Sequence, residues 1–262
     1  MATSFEYSTQ ARTYDTTRAA SPSVTAPLAA ALGAPTGAAR LLDVGGGTGN
    51  YAVALAEFGW RPVVVDRNRA MLEVAVDKGV AGVQSDAAAL PVATASVDAV
   101  VMISMLHHVP DWRAALGEAR RVIRPGGVAA IMVYAREHLF VHGIEDYFPT
   151  TQAHFAAGHQ TRSELAEVLP DAAVSFVFYD DQIDGSLAAL GRSPERVLDP
   201  DLRRQTSFFE WAEREQPDET ARGLSQLAAD LRAGHRLEGR HASERAAIGD
   251  AWLIAWPAGA RG

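Results

Sequence analysis

Arg40-Leu41-Leu42-Asp43-Val44-Gly45-Gly46-Gly47-Thr48-Gly49 is the stretch that decides the fold. An apolar run broken only by Asp43 reads as a short buried strand. The glycines that end it let the chain turn with positive φ and let a ligand approach the backbone closely. A helix-period segment follows, roughly Asn50 to Phe58, with Val53, Ala54 and Ala56 as small packing residues. The start of such a helix offers free N–H groups and a positive dipole end, suited to an anionic or electron-rich ligand. Asp43 narrows that choice. It stands two residues before Gly45 in an Asp-x-Gly-x-Gly-x-Gly pattern and so places a carboxylate beside the loop. A pyrophosphate would be repelled there, whereas the ammonium of an amino-acid tail would be attracted, directly or through water.

Outward from this turn the same alternation repeats. Pro62 to Val65 is a second strand stopped by Asp66, about 20 residues after the glycines, where a carboxylate can accept ribose hydroxyls. Ala70 to Lys78 forms the next helix, Val80 to Gln84 a third strand ending in Ser85-Asp86-Ala87, and Asp86 can accept an adenine amino proton. Val97 to Ile103 is the fourth strand, followed by Ser104-Met105-Leu106-His107-His108. Asp111 caps a helix running to Arg124, Pro125-Gly126-Gly127 terminates it, and Val128 to Tyr134 is the fifth strand. Short apolar runs alternating with helices predict an α/β fold, a mainly parallel sheet covered on both faces. Ser21-Pro22 can open a helix reaching Leu32, although Pro27 leaves its start ambiguous.

The second half is less regular. Thr161 to Leu169 reads as a helix with Thr161 and Glu164 in capping-box spacing, and Ala173 to Tyr179 and Ala251 to Trp256 read as strands. Between those strands, Asp199 to Gln216 and Asp218 to Ala233 are helical in period and too long for an ordinary crossover, which predicts a helical cap inserted near the C-terminus. At 262 residues one sizeable core is expected. With no cysteine, disulfides, thiolate–zinc sites and cysteine nucleophiles are excluded. No apolar run reaches the roughly 20 residues that span a bilayer, and residues 1–14 do not read as a secretory signal, so a cytoplasmic location is expected. A net charge of −8 disfavours a nucleic-acid partner; Arg120-Arg121-Arg124 and Arg203-Arg204 read as solvated helix faces.

Taken together, Asp43 to Gly49, Asp66, Ser85-Asp86-Ala87, Val97-Asp98-Ala99-Val100, Ser104 to Asp111 and Arg124-Pro125-Gly126-Gly127 resemble the class I S-adenosylmethionine-dependent methyltransferases. The similarity is strongest to the ubiquinone/menaquinone-methyltransferase-like (methyltransferase type 11) branch, which also holds natural-product tailoring enzymes. It spans roughly Arg40 to Tyr134. It implies a Rossmann-like seven-stranded sheet, six strands parallel and the last antiparallel, with cofactor across the carboxyl ends. The expected organisation is a cofactor-covering segment over 1–39, a binding core over 40–136, and over 137–262 the rest of the sheet with a substrate-binding cap. The resemblance further implies that Asp43, Gly45, Gly47 and Gly49 hold the methionine part. Asp66 would bind ribose with Arg67 and Met71 beside it, Asp86 and Ala87 would border adenine, and Ser104 would lie beneath the ligand. Tyr14 and Arg18 precede the first strand, where similar enzymes fold a tyrosine or arginine toward the methionine carboxylate.

The implied reaction is methyl transfer from S-adenosylmethionine to nitrogen or oxygen of a small, ring-containing metabolite, leaving S-adenosylhomocysteine. A general base is required only when the acceptor must lose a proton, and His107 and His108 at the cleft rim are the candidates, against a role in capping their loop. His138 and His142 have i, i+4 spacing, but no third ligand stands out and no metal is expected. Phe140, Tyr147, Phe148, Phe155, Phe208, Phe209 and Trp211 either line an acceptor pocket or form the cap's own core. Glu145, Asp146, Asp180, Asp181 and Asp184 are expected as solvated loop acids, with an amine-bearing acceptor as the alternative if two of them face the pocket. Apolar cap helices leave room for a homodimer. The rival readings are an NAD(P)-dependent oxidoreductase, since Gly47-x-Gly49-x-x-Ala52 fits its fingerprint, and a non-catalytic S-adenosylmethionine-binding protein. DNA-amino, cytosine-C5 and protein-arginine methyltransferase signatures are missing.

Overall fold

The computed structural model describes residues 20–179, 186–203, 206–237 and 239–258. The first strand, β1 (Arg40–Val44), alternates sides: Leu42 and Val44 enter one core and Leu41 another. Successive residues of a strand face opposite sides of the sheet, so a strand buried twice over must be apolar throughout. The central strand β4 (Val97–Ile103) obeys this, with Val100 and Met102 on one face, Ala99 and Val101 on the other, and all four fully buried. On the first face the partners come from Trp112, Ala115, Leu116 and Ala119, on the second from Val24, Leu28 and Leu55.

With β2 (Arg61–Asp66), β3 (Ala81–Gln84), β5 (Ile123–Val133), β6 (Ala173–Val177) and β7 (Ala251–Pro257), the sheet has seven strands in the order β3-β2-β1-β4-β5-β7-β6. β1 to β5 pair in parallel, and β7 runs antiparallel between β5 and β6. The expected α/β architecture, its count of strands and the single reversed strand are all present.

The helices of the first half follow their sequence signals. They are α1 (Pro22–Leu32), α2 (Asn50–Glu57), α3 (Arg69–Asp77) and α4 (Trp112–Val122). Asn68 caps α3 by accepting from Ala70 N–H at 3.0 Å, and Asp111 caps α4 by accepting from Ala114 N–H at 3.0 Å. Pro27 sits inside α1 without ending it. One boundary differs. α4 stops at Val122, and Arg124-Pro125-Gly126-Gly127 lies inside β5 instead of closing the helix. The pairing of β5 with β4 shifts register there, between Val97 and Ala99, and a Cβ on Gly127 would run into the Asp98 carbonyl and approach Ile123 Cγ2 to 2.5 Å. The glycines make a bulge that lets two strands approach, a use that reads in sequence like a helix stop.

After β5 come α5 (Pro149–Gly158) and α6 (Arg162–Val168), the latter with the expected capping box between Thr161 and Glu164. Between β6 and β7 lie α7 (Leu187–Arg192), α8 (Pro200–Arg203), α9 (Ser207–Glu215), α10 (Pro217–Arg232) and α11 (Ala242–Ile248). The single helix expected over Asp199 to Gln216 is therefore two, because the Thr206 hydroxyl caps a fresh helix start at the Phe209 N–H, 3.0 Å away. The cap has its own core, in which Ile144, Tyr147 and Phe148 from one insertion pack against Phe208, Phe209 and Leu227 from the other. Phe148 meets Phe208 and Phe209 edge-on at 6.2 and 5.0 Å, so these aromatics pack against one another, and Phe208 also lines a cavity. No helix among the described residues is long and apolar enough to cross a membrane.

A buried charge cluster ties the cap to the sheet. His142 is held by Glu145 (Nδ1 to Oε1, 2.9 Å) and Asp250 (Nε2 to Oδ1, 3.2 Å). Arg245 clasps Asp250 through two hydrogen bonds of 2.7 and 2.6 Å, and Tyr179 N–H donates to it at 2.8 Å. Glu145 is thus fully buried, against the expectation of a solvated loop acid, because an imidazolium takes up its charge. Asp146 is partly exposed and faces His241 and Arg240, while Asp180, Asp181 and Asp184 lie outside the described residues. His138 is buried too, accepting from Ala135 N–H at 2.9 Å, so the His138/His142 pair is structural.

Burial alone would lower the His142 pKa, but the two carboxylates raise it to about 9. A cation stabilised in the folded state contributes fully below its unfolded pKa, about 6.5, and loses that contribution as pH rises through about 9. Urea unfolding of wild type and His142→Gln across pH 6 to 10 tests this. The wild-type advantage is expected to shrink over that window by up to roughly 3 kcal/mol. An advantage independent of pH would mean that His142 is neutral.

Candidate functional site

A cavity of about 960 Å³ opens at the carboxyl ends of β1, β2 and β4 and extends to the cap. At its floor lies Asp43, 1% exposed, with neither carboxylate oxygen hydrogen-bonded among the described residues. Burial, and secondarily the charge on Asp66, pushes its pKa up to about 7. The glycine turn is built around it: a Cβ on Gly46 would stand 2.5 Å from Asp43 Oδ2. Gly45 (φ +70°) is crowded by Met105, whose side-chain atoms would lie 2.9 Å from a Cβ.

Asp66 closes the loop from β2. Its Oδ2 accepts from Gly47 N–H at 3.0 Å and its Oδ1 from Asn68 N–H at 2.8 Å. Burial raises its pKa, opposed by those hydrogen bonds and by Arg67. Each carboxylate oxygen can accept a second bond, so Asp66 can order the loop and still meet hydroxyls in the cavity. Arg67, Met71, Asp86 and Ala87 line the same end, with Asp86 Oδ1 accepting from Ala88 N–H at 2.8 Å. Ser104 follows β4 in the left-handed region (φ +50°), a conformation that costs a non-glycine residue energy and that its N–H bond to the Met132 carbonyl, 2.9 Å, helps hold.

Of the residues singled out in the sequence, Asp43, Gly45, Gly47, Asp66, Arg67, Met71, Asp86, Ala87, Ser104, His107 and His108 all line this one cavity. Gly49 does not. It starts α2 with φ +75°, and a Cβ there would sit 3.1 Å from Ala75 Cβ, so it lets α2 and α3 approach. Tyr14 and Arg18 lie outside the described residues.

Across the cavity the cap contributes Phe155, Tyr179, Leu187 and Phe208, with Tyr134 from the end of β5. His107 stacks on His159 (centroids 4.4 Å apart, planes 14° apart) and tilts against His108 at 4.0 Å. Burial lowers all three pKa values, to about 4 for His108 and His159 and well below normal for His107. His159 was not singled out in the sequence, because nothing local to residue 159 announces a stack with residue 107. Every charged side chain among the described lining residues belongs to the β1–β3 end, and the cap end is neutral. Among the described residues no group of His, Asp and Glu side chains could hold a metal ion.

Residues 42–131 match the family described as methyltransferase domain. A demethylmenaquinone methyltransferase of Roseiflexus castenholzii is 40% identical over 115 residues, covering 40% of this chain and 47% of that protein. A tRNA 5-carboxymethoxyuridine methyltransferase of Escherichia coli is 33% identical over 114 residues, covering 40% and 44%. The chain thus spans about half the length of these relatives. Among solved structures, a putative methyltransferase from an antibiotic biosynthesis pathway of Anabaena variabilis superposes with a TM-score of 0.76 at 26% identity, covering 91% of this chain and 98% of that one.

An acid whose pKa is raised on folding opposes stability as pH climbs from its unfolded value, 3.8, through about 7. Asp43→Asn removes that effect. The stability of the ligand-free variant relative to wild type is expected to increase between pH 4 and 8, by at most about 4 kcal/mol. Thermal unfolding of both proteins in a pH series measures it, and a constant difference would show that Asp43 ionises at no cost.

Proposed function

We propose that this chain, whose residues 42–131 match the family described as methyltransferase domain, transfers a methyl group from S-adenosylmethionine to nitrogen or oxygen of a small, ring-containing metabolite. The observation that carries this reading is the buried, unpartnered carboxylate of Asp43 under a glycine turn that opens into the cavity. Such a group demands a cationic or hydrogen-bond-donating partner, and the α-ammonium of the methionine moiety supplies one. A dinucleotide would present a diphosphate to the same carboxylate, which disfavours the NAD(P) alternative.

The donor set fits the cofactor along its length. Asp43 and the turn Gly45–Gly47 would hold the amino-acid end, Asp66 the ribose, and Asp86 with Ala87 the adenine, while Ser104 would lie below. The bound cofactor supplies an activated methyl on a sulfonium. What remains for the protein is to align the acceptor, exclude water and, for a protonated acceptor atom, receive a proton. The acceptor would sit against Phe155, Tyr179 and Phe208, in the part of the cavity that extends to the cap. The tRNA-directed relative matches over only 40% of this chain, and the net charge of −8 runs against a polyanionic acceptor.

Equilibrium titration with S-adenosylhomocysteine and with NAD tests the cofactor, and label transfer from methyl-labelled S-adenosylmethionine to a panel of phenols, amines and indoles tests the reaction. Saturable binding of S-adenosylhomocysteine, its loss by about tenfold or more in Asp43→Asn, and label in at least one ring-bearing acceptor are expected. Binding of NAD in preference to S-adenosylhomocysteine would overturn the assignment.

A further inference from the structure

We propose that His159 is the general base of this site and that the acceptor it serves carries its reacting proton on a hydroxyl. This rests on the methyl-transfer reading above. His159 Nδ1 lies 2.6 Å from the Phe155 oxygen, and a carbonyl can only accept, so Nδ1 carries the proton. In a neutral imidazole the lone pair is then on Nε2, which has no hydrogen-bond partner among the described residues, on a ring that lines the cavity. The backbone has fixed the tautomer in which the free nitrogen is basic.

The surroundings keep it so. His159 is itself held by Arg136, whose Nη2 donates to the His159 carbonyl at 3.2 Å and whose Nε donates to the Ala156 carbonyl at 2.8 Å. From the turn after β4, His107 stacks on the ring, with His108 behind it; from the end of β5, Tyr134 stands edge-on at 6.0 Å. Burial lowers the pKa of each of these histidines and raises that of Tyr134, so at neutral pH the cluster is three neutral imidazoles and a phenol. His107 makes no hydrogen bond among the described residues, so its tautomer is not fixed as that of His159 is.

The acceptor oxygen forms its bond to the methyl carbon as the carbon–sulfur bond breaks, and that electron pair stays on sulfur. The O–H electrons remain on oxygen, and its proton passes to Nε2, giving an imidazolium that later releases the proton to water. A weakly basic imidazole suffices because the oxygen becomes strongly acidic as the new bond forms. Burial then makes the imidazolium release its proton readily. An ammonium acceptor is disfavoured, since the cap end offers it no carboxylate among the described lining residues.

His159→Asn tests this, because its side-chain N–H can still meet the Phe155 carbonyl while no basic nitrogen remains; His159→Gln is the second variant should the first not fold. The probes are S-adenosylhomocysteine, a phenol un-ionised at the assay pH (2-naphthol), and a nitrophenol already ionised there. Affinity for S-adenosylhomocysteine is expected within about threefold of wild type, and label transfer to 2-naphthol is expected to fall about 100-fold, against less than about fivefold for the nitrophenolate. Nitrogen-15 NMR of the wild-type protein with S-adenosylhomocysteine bound should show His159 protonated at Nδ1. Equal losses on both phenols, undiminished transfer to 2-naphthol, an Nε2-protonated ring, or a wild-type enzyme that methylates amines and neither phenol would each overturn the proposal while leaving the methyltransferase reading intact. Failure of the unmodified chain to bind S-adenosylhomocysteine is read separately and removes both.

Discussion

A carboxylate without a partner organises one end of this molecule. Asp43 is buried at the end of β1, and solvent cannot offset the cost of ionising it. The chain around it is shaped by that side chain: Gly46 is required because a Cβ would collide with the carboxylate, and Asp66 secures the turn through the Gly47 N–H. A second negative group beside the first makes the site still harder to charge, and correspondingly more favourable for an ammonium. The strand, the turn and the following helix therefore act as one preorganised receptor, and the parallel sheet is what brings β1 and β2 close enough for the two acids to share it.

The charge cluster beside the end of β5 and the start of β7, at the same carboxyl edge of the sheet, follows the opposite logic. His142 lies between two carboxylates, Asp250 is further bound by Arg245 and by a backbone N–H, and the opposing charges compensate one another. Such a cluster contributes little to net stability beyond what an apolar replacement would, but removing one member leaves a buried charge exposed to none of its partners. Its consequence here is geometric. It fixes the segment after β5 against the start of β7, and with it Tyr134, whose hydroxyl lies 3.1 Å from His142 Nδ1. The Glu145 and Asp250 carboxylates each meet a cationic side chain, whereas Asp43 meets none among the described residues, and Asp43 is the one that lines the cavity.

Much of the sheet was legible because doubly buried strands leave an unbroken apolar signature, and the turn because glycine and aspartate at that spacing have few other uses. The strands, the cap at Asp111, and the reversed β7 follow from residues within a few positions of one another or from the family resemblance. The remainder depends on long-range encounters. Gly126-Gly127 signals a stop in sequence, yet acts as a bulge because Asp98 runs alongside. Glu145 reads as a loop acid until His142, itself joined to Asp250 over a separation of 108 residues, is set beside it. Gly49 belongs to the motif but serves helix packing against Ala75. For the same reason His159 gave no local signal, because its chemistry is conferred by the Phe155 carbonyl and by a ring 52 positions away.

The two ends of the cavity are consequences of one physical condition. Removing water raises the pKa of an acid and lowers that of a histidine, and the same burial does both here, at Asp43 and at the His107/His108/His159 cluster. At the floor, a carboxylate with its pKa raised to about 7 is ionised more fully when a cation arrives to match it, so binding and ionisation are coupled. At the cap, histidines that will not hold a proton keep their lone pairs and would repel neither a neutral ring nor the sulfonium of the proposed cofactor. A solvated site would charge both sets of groups independently of the ligands and lose that selectivity. The cap core of Phe148, Phe208 and Phe209 is thus the structural counterpart of the chemistry below it: Phe208 belongs both to that core and to the cavity lining, so the packing that holds the cap together also supplies apolar surface above the buried titratable groups.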